Sequence, residues 1–463
     1  MGKKTQQLLL FLLVLATRIP FLFYGYGVEE DSWGHVLNAA LMNETGIYEI
    51  SRLPGHPLYE ALLVILWNVH SPFLYNSISA VASAGAVVVF FRIVEMHQVK
   101  LAFWWSLAFG VVPVFFISST YTIDYSIALF FVLLATEATM NQKEERAGIW
   151  LAVAVATRIT SLGMLLPMAY LLLRDKRKEK SVALRIRRAT KLTFITAFLS
   201  LVFFLPVISR YGIAFFDFHK PPYPDIIEAF YKMSIGVWGL VGCLAIGFLL
   251  VLLARKKVFK WADKNAMLFG LTFVVYAVAY FRMPEKAAFW LPVVPFFLLL
   301  AAQHISTKMA RFAIALLLIS PFVFGINKTD KYTGSAHSAL AATFGSSNGE
   351  LFIDPIQGPI INDLTKRQTK MAAAEKIQYQ LMIQRQATLV IAGWWYAHLE
   401  VDRRDGKWSN ANIALVYFAS PEELKSWQEK GYQLRYLPEQ QAINDKKYRT
   451  TFTAENATLF PIE

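Results

Sequence analysis

The chain has 463 residues, of which 56% are hydrophobic and 15% aromatic, whereas only 17% are charged. This composition is too apolar for a soluble globular protein, so it excludes that class and indicates a polytopic α-helical membrane protein. The net charge of +13 is better explained by membrane topology than by nucleic-acid binding, and we expect no nucleic-acid partner. The single cysteine, Cys243, lies in an apolar run and offers neither a disulfide nor a metal cluster.

Apolar runs long enough to cross a bilayer recur along the first two thirds of the chain and predict about eleven spans. They cover residues 8–26, 78–94, 101–117, 123–140, 147–173 (a hairpin of two short crossings), 191–208, 233–254, 265–281, 287–304 and 311–326. Lys and Arg are retained on the cytoplasmic side. The basic segments "RDKRKEKSVALRIRRATK", "RKKVFKWADK" and "STKMAR" then lie inside, together with the N-terminus.

With an odd number of spans, the first loop, residues 27–74, and the tail, residues 327–463, share the extracytoplasmic side. The tail lacks a spanning run and alternates short apolar segments with helical ones, which predicts a small soluble α/β domain. Its Trp394, Trp395 and Tyr396 form either a platform for a sugar ring or ordinary core or interface packing. The two predicted domains are therefore 1–326, in the membrane, and 327–463, outside it.

Three consecutive acids, Glu29, Glu30 and Asp31, follow the first predicted span directly. From Asp31 onward, apolar side chains recur at helical spacing over residues 33–40, so Asp31 lies near a helix start. It then serves either as an N-cap or first-turn acid that stabilises the helix, or as a chemical group. Three adjacent acids favour a catalytic or binding role. Their mutual repulsion raises the pKa of at least one of them unless nearby cations neutralise the charge.

Basic side chains face the same side of the membrane. Arg52 and His56 lie in "SRLPGHPLYE", which predicts a stiff turn that holds them in place or simply redirects the chain. Arg282 and Lys286 lie in a very short outer loop, where they either bind an anionic headgroup or extend to the membrane interface. Acids and fixed cations on one outer face predict a site that binds a lipid phosphate and deprotonates a hydroxyl.

The first outer loop, with "DSWGH", "GIY", Arg52 and "PGHPLY", resembles that of the GT-C integral-membrane glycosyltransferases. The stretches "STYTIDYSIALFFVLLATEA" and "GIWLAVAVATRITSLGMLLPMAYLLL" are similar to the next part of that superfamily, and "PEKAAFWLPVVPFFLLLAA" resembles its late outer loop and span. The resemblance covers residues 8–326, and a soluble tail after the last span is a common arrangement in the superfamily. Within it, the chain is similar to protein O-mannosyltransferases and lipid A aminoarabinose transferases.

This resemblance implies an inverting transferase that moves a monosaccharide from a polyprenyl-phosphate carrier to a glycan, lipid or protein acceptor outside the cytoplasm. The membrane is expected to be a bacterial inner membrane, with the tail in the periplasm. The first-loop acid of the superfamily corresponds to Asp31, which implies that Asp31 is the general base. Many relatives carry a second acid directly after it, whereas this chain has Ser32 there and Glu29 and Glu30 before it. The choice of base among the three acids therefore stays open.

Two further residues gain roles from the resemblance. Asp124 matches the second-loop acid, which orients the acceptor or assists Asp31; the alternative is a helix N-cap. Arg158 matches a basic residue that either reaches the carrier phosphate or marks the end of a hairpin. Arg282 and Lys286 are the better phosphate candidates, alongside Arg52 and His56.

We expect no cofactor, because phosphate is already a leaving group and protein cations can stabilise its charge. A divalent metal bound by Glu29, Glu30, Asp31 and Asp124 is the alternative. A transporter or flippase of lipid-linked sugars is the alternative function. Transporters usually place ionisable groups at the bilayer midplane in related halves, and the sequence shows neither feature. A membrane scaffold whose tail binds a partner is the third possibility.

Overall fold

A computed structural model describes residues 2–174, 181–212, 214, 224–259, 263–328, 337–346 and 349–462 of the chain. Parts of three predicted segments lie outside the described residues. They are 175–180 of the first basic loop, 260–262 of the second, and 329–336, 347–348 and 463 of the tail.

The first two thirds of the chain are helical. The helices are α1 Lys3–Arg18, α2 Glu30–Thr45, α3 Pro57–Leu66, α4 Pro72–Met96, α5 Ala102–Gly110, α6 Pro113–Ser118, α7 Tyr125–Met140, α8 Glu144–Thr157, α9 Leu165–Arg174, α10 Val182–Tyr211, α11 Ile226–Met233, α12 Ile235–Arg255, α13 Lys264–Arg282, α14 Val293–His304 and α15 Thr307–Ile319. Every interval that was predicted to span the membrane overlaps at least one of these helices. Among the described residues, α4, α10, α12 and α13 are long and apolar enough, by length and composition, to cross a membrane. The count of eleven spans stays a prediction.

Local sequence explains two features of this helical body. Pro113 has no N–H to donate, so the helix that ends at Gly110 starts again at Pro113 as a separate element. Gly148 of α8 faces α10, where a Cβ atom would lie 2.9 Å from the Ile195 side chain and 3.1 Å from the Leu192 carbonyl oxygen. Only glycine allows these two helices to pack so closely.

The first outer loop folds into α2 and α3. The apolar face predicted for residues 33–40 is buried, with Trp33 and Val36 at most 1% exposed, and the helix ends where Gly46 adopts the left-handed conformation (φ 66°). Pro57 occupies the first turn of α3, a position that needs no backbone donor. The acids thus lie at the start of α2, and Arg52 and His56 lie in the segment between the two helices.

The tail contains two sheets. Its elements are β1 Gly325–Lys328, β2 Ala342–Ser346, β3 Gly349–Asp354, α16 Pro359–Ile383, β4 Thr388–Ile391, α17 Tyr396–Arg404, β5 Ile413–Val416, α18 Pro421–Glu429, β6 Gln433–Tyr436, α19 Gln440–Tyr448, α20 Phe452–Asn456 and β7 Thr458–Leu459. The first three strands form an antiparallel sheet in the order β1-β3-β2. The last four form a parallel sheet in the order β5-β4-β6-β7, with helices connecting the strands.

The tail packs on the helical body through buried Arg367 of α16. Its guanidinium donates to the carbonyl oxygens of Phe21 at 2.9 Å and Thr120 at 3.0 Å, and its Nε donates to Asp363 at 3.0 Å. One turn further along α16, Lys370 donates to the Val28 carbonyl oxygen at 2.6 Å. These contacts fix the tail against the ends of the helices that carry the acids.

Replacing Arg367 by methionine should destabilise the protein by about 3 kcal/mol, because the buried partners of the guanidinium, Asp363 included, lose their donor. Thermal unfolding in detergent measures the loss, and protease cleavage between α15 and α16 reports release of the tail. The control is Arg210→Met, whose ion pair with Glu49 (2.6 Å) is partly exposed and should contribute little. Equal effects of the two substitutions would contradict the role given to Arg367.

Candidate active site

Asp31 lies between two cations at the start of α2. Its Oδ2 atom accepts hydrogen bonds from Arg52 Nη1 and Lys286 Nζ, and Lys286 also donates to Glu29 Oε2 at 2.6 Å. The N-cap residue of α2 is Glu29, and neither it nor Asp31 caps the helix with its side chain. The carboxylate of Asp31 is therefore directed towards cations, not towards the helix backbone.

The charges in this group determine the protonation of Asp31. Burial raises the pKa of Asp31, but Arg52 and Lys286 together outweigh burial and hold that pKa well below its usual range. Burial lowers the pKa of Lys286, but the two acids Asp31 and Glu29 outweigh it and raise that pKa. Asp31 is thus an anion and Lys286 a cation at any physiological pH.

A second charged group surrounds Asp124, which is fully buried directly before α7. Its Oδ2 accepts a hydrogen bond from Arg158 Nη1 at 2.9 Å and lies 3.3 Å from His56 Nδ1, and its Oδ1 lies 3.8 Å from Arg52 Nη2. Asp124 is the N-cap residue of α7 by position, but its side chain makes no cap hydrogen bond. Arg52 is the side chain that links Asp124 to Asp31.

His56 lies between the backbone and Arg52. Its Nδ1 lies 3.0 Å from the Thr157 carbonyl oxygen, which can only accept. Its Nε2 accepts a hydrogen bond from Arg52 Nε at 3.2 Å. His56 thus holds the guanidinium of Arg52 in place, and its contact with phosphate stays a prediction.

The remaining predicted cations have different surroundings. Arg158 follows the last residue of α8, at the end of the predicted hairpin, and its guanidinium lies 4.2 Å from the ring centroid of Tyr125 and 5.0 Å from that of Phe289. Arg282 is the last residue of α13 and is exposed. Among the described residues, the structure therefore brings Lys286, and not Arg282, into contact with the first-loop acids.

Glu30 contacts the tail. Its carboxyl group lies near the hydroxyl of Tyr417, which follows β5 directly, and the two groups interact electrostatically. Burial raises the pKa of Glu30 to about 8, although the Tyr417 hydroxyl acts in the opposite direction. Two adjacent acids thus differ at neutral pH, since Glu30 is largely protonated and Asp31 is ionised. Sequence reasoning missed Tyr417, whose only signal is an aromatic pair directly after an apolar strand, "ANIALVYF".

Glu30 should make stability depend on pH. Its pKa in the folded protein is about 8, above its ordinary value of 4.5, so its contribution is complete below pH 4.5 and is lost as pH rises through 8. Glu30→Gln should therefore unfold at the wild-type temperature at low pH and several degrees higher above pH 8. Thermal unfolding measured from pH 5 to 9 tests this. Glu44→Gln, an exposed acid at the other end of α2, should keep the wild-type profile.

His35 is a further group that the sequence marked only through the resemblance. Its side chain is 1% exposed, and neither ring nitrogen has a hydrogen-bond partner in the part of the chain that the structure describes. Its ring lies edge-on to His56 at 5.3 Å and to Tyr59 at 5.0 Å between centroids. Burial holds the pKa of His35 well below its usual range, so the ring is neutral and has one donor and one acceptor to offer.

The four acids considered as metal ligands do not form one cluster among the described residues. In the described ranges, no three His, Cys, Asp or Glu side chains converge as a metal ion requires. Lys286 engages Glu29 and Asp31, Arg158 engages Asp124, and Glu30 turns towards Tyr417. Glu29 and Asp31 thus share Lys286, whereas Asp124 and Glu30 have other partners, and the expectation that no metal binds stays a prediction.

Two solved structures of one protein share the fold of this chain, helical body and tail together, over nearly its whole length. ArnT from Cupriavidus metallidurans in the apo state has a TM-score of 0.54 and 11% identity, over 99% of this chain and 90% of that chain. ArnT bound to undecaprenyl phosphate has a TM-score of 0.52 and 12% identity, over 98% and 89%. No family model and no curated protein matches the chain.

The fold resemblance predicted from the sequence is thus confirmed through these two structures, and four described helices are apolar and long enough to cross a membrane. The orientation of the termini, the roles of the site residues and the identity of the acceptor stay predictions.

Proposed function

We propose that this protein is an inverting glycosyltransferase that moves one monosaccharide from a polyprenyl-phosphate carrier to an extracytoplasmic glycan, lipid or protein. The observation that carries the proposal is Asp31, an acid held between Arg52 and Lys286 at the outer start of α2. An acid that can accept a proton and cations that can bind phosphate are the two requirements of this reaction. The crystallisation of ArnT from C. metallidurans with undecaprenyl phosphate supports the choice of carrier.

The reaction assigns a separate role to each side of this group. Asp31 takes the proton of the acceptor hydroxyl while the hydroxyl oxygen attacks C1 of the donor sugar from the face opposite the phosphate. The bond between C1 and the phosphate oxygen breaks, so configuration at C1 inverts. The donor phosphodiester has one negative charge and the released polyprenyl phosphate gains a second. Arg52 and Lys286 stabilise this developing charge.

The donor and Asp31 compete for the same cations. In the structure, Asp31 and Glu29 engage Lys286, and Asp31 also engages Arg52. A phosphate that binds these cations replaces Asp31 as their partner. The pKa of Asp31 then rises towards its usual range, because the charges that lowered it are occupied. Donor binding thereby converts the Asp31 carboxylate from an ion-pair partner into a proton acceptor.

Asp124 contributes to this arrangement indirectly, through its contact with Arg52. Its charge is fully buried, so it needs the partners that Arg158 and Arg52 provide. Together with His56 it orients the guanidinium of Arg52 towards Asp31. We therefore propose Asp124 and His56 as positioning residues, and Arg52 and Lys286 as the groups that touch phosphate.

The direct test is release of free polyprenyl phosphate from pooled lipid-linked monosaccharides by the purified protein in detergent, with a candidate acceptor extract. We expect release that requires the acceptor, disappears in Asp31→Asn and is unaffected by a chelator. Acceptor-independent movement of intact carrier across reconstituted vesicles, without release, would make the protein a transporter and overturn the proposal.

A further inference from the structure

The strands of the parallel sheet in the tail all run in one direction, so their carboxyl ends lie together on one side of the sheet. We call this side the carboxyl edge. Ile391 at the end of β4 pairs in register with Val416 at the end of β5. The segments that follow are joined, because the Gly393 N–H donates to the Tyr417 carbonyl oxygen at 2.7 Å. In open α/β sheets, ligands bind outside the carboxyl ends of the strands, so this edge is the part of the tail suited to binding.

An aromatic surface lies at this edge. The Trp394 ring is 43% exposed and meets the rings of Tyr417 and Phe418 edge-on, at 6.0 Å and 5.7 Å between centroids. These contacts hold the indole in place and leave 43% of the side chain exposed. The loop is fixed as well, because the Trp394 N–H donates to Gln440 Oε1 at 3.1 Å. Gly393 has a φ of 48°, a left-handed conformation that favours glycine in this turn.

A cation lies beside the aromatic rings. Lys447 of α19 is exposed, and its Nζ lies 5.4 Å from the ring centroid of Tyr417 and 5.1 Å from that of Phe418. A flat apolar ring next to a positive charge matches a sugar ring that has an anionic substituent. The C–H face of such a sugar stacks on indole, and its charged group pairs with the ammonium.

The same edge reaches the candidate active site. Tyr417 connects the two, because its ring contacts Trp394 and its hydroxyl interacts electrostatically with Glu30, the neighbour of Asp31. The tail is held in this position by the buried guanidinium of Arg367 and by Lys370. One side chain, that of Tyr417, thus lies between Trp394 and Glu30.

We propose that Trp394, Tyr417, Phe418 and Lys447 form an acceptor-binding site for a sugar ring with an anionic substituent. The inference rests on the proposed function and deepens it by naming the chemical class of the acceptor unit. Trp394 and Lys447 determine specificity, and Tyr417 positions the bound sugar through its contact with Glu30. Trp395, by contrast, is 5% exposed and belongs to the core of the tail.

The experiment measures binding of two probes, methyl glucuronide and methyl glucoside, to the full-length protein in detergent by saturation-transfer NMR. We expect the wild type to bind the glucuronide more tightly than the glucoside. Trp394→Ala should weaken glucuronide binding about tenfold, because the stacking surface is lost. Lys447→Met should remove the preference for the anionic probe while weak binding of the glucoside remains.

The tail offers a matched control at its other edge. Trp427 stacks edge-on against Tyr432 at 4.8 Å and has Lys430 5.0 Å from its centroid, but this trio lies at the end of α18 and the start of β6, where the strands begin. Trp427→Ala should bind both probes as the wild type does. Equal weakening by Trp394→Ala and Trp427→Ala, or no binding of either probe to the wild type, would overturn the proposal.

The outcome is separable from that of the proposed function, because both probes are measured without donor. A protein that releases no carrier but binds glucuronide through Trp394 and Lys447 would lose its assignment as a transferase and keep this sugar site. A protein that does release carrier, but whose apparent acceptor KM is the same in Trp394→Ala and the wild type, would keep the function and lose the site.

Discussion

Replacement of Asp31 by asparagine should abolish sugar transfer while polyprenyl phosphate still binds. The amide has nearly the shape of the carboxylate but cannot accept the acceptor proton, so we expect a loss of about 10³-fold in kcat. Removing the anion also frees Arg52 and Lys286 from a competitor, so the variant should bind polyprenyl phosphate more tightly than the wild type does. Carrier release gives the first quantity, and titration with polyprenyl phosphate gives the second.

Glu44→Gln is the matched control for this substitution. Glu44 lies near the other end of the same helix and pairs with Arg404 of the tail. Its loss removes one acid from α2 without touching Arg52 or Lys286, and transfer should stay within twofold of the wild type. Full activity of Asp31→Asn would overturn the assignment of Asp31 as the base and return the choice to Glu30 or Glu29.

Replacement of Lys286 by methionine should impair the donor side of the reaction. The phosphate loses one of its two cations, so we expect the donor KM to rise about 10- to 100-fold, the loss typical of a charge-assisted contact. The pKa of Asp31 should rise as well, because one of the charges that lowers it is gone. Initial rates at varied donor concentration, measured at several pH values, report both changes.

The substitution Arg282→Gln tests whether Arg282 contributes to donor binding as Lys286 does. Arg282 precedes Lys286 by four residues in the short outer loop and is exposed, and Lys286 alone of the two contacts the first-loop acids in the described part of the chain. The donor KM should therefore change much less in Arg282→Gln than in Lys286→Met. If both variants raise it equally, phosphate is bound by the whole loop, as the sequence first suggested.

The sequence predicted the helices well because spans are long and strongly apolar. Every predicted span overlaps a helix of the structure. The apolar face over residues 33–40 is buried, as predicted. The sequence also indicated the candidate acids, since charged residues stand out beside apolar runs. It did not indicate which cations these acids pair with. Nothing local indicates that Asp31 pairs with Lys286 across a sequence separation of 255 residues, or that Asp124 directs its carboxylate to Arg158 and leaves the α7 backbone uncapped.

In the tail, too, the sequence did not show where individual side chains would lie. Three consecutive aromatic residues predicted either a sugar platform or a core, and the structure divides them between the two. Trp395 is buried in the core, whereas Trp394 is 43% exposed. A 3-10 turn from Gly393 to Trp395 causes this division, because successive side chains on it point in different directions. Strand composition predicted the sheet, but only its parallel register shows that Trp394 and Tyr417 share an edge.

The long separation between the paired charges also has a consequence for synthesis. Glu29 precedes its partner Lys286 by 257 residues, and Arg367, which fixes the tail, contacts a carbonyl group 346 residues before it. A nascent chain therefore exposes Glu29 long before its cation Lys286 has been made, whereas Asp31 meets Arg52 only 21 residues later. Complete charge pairing is available only to a chain that has been translated past α13, so a prematurely terminated product leaves Glu29 without its cation and has an incomplete donor site.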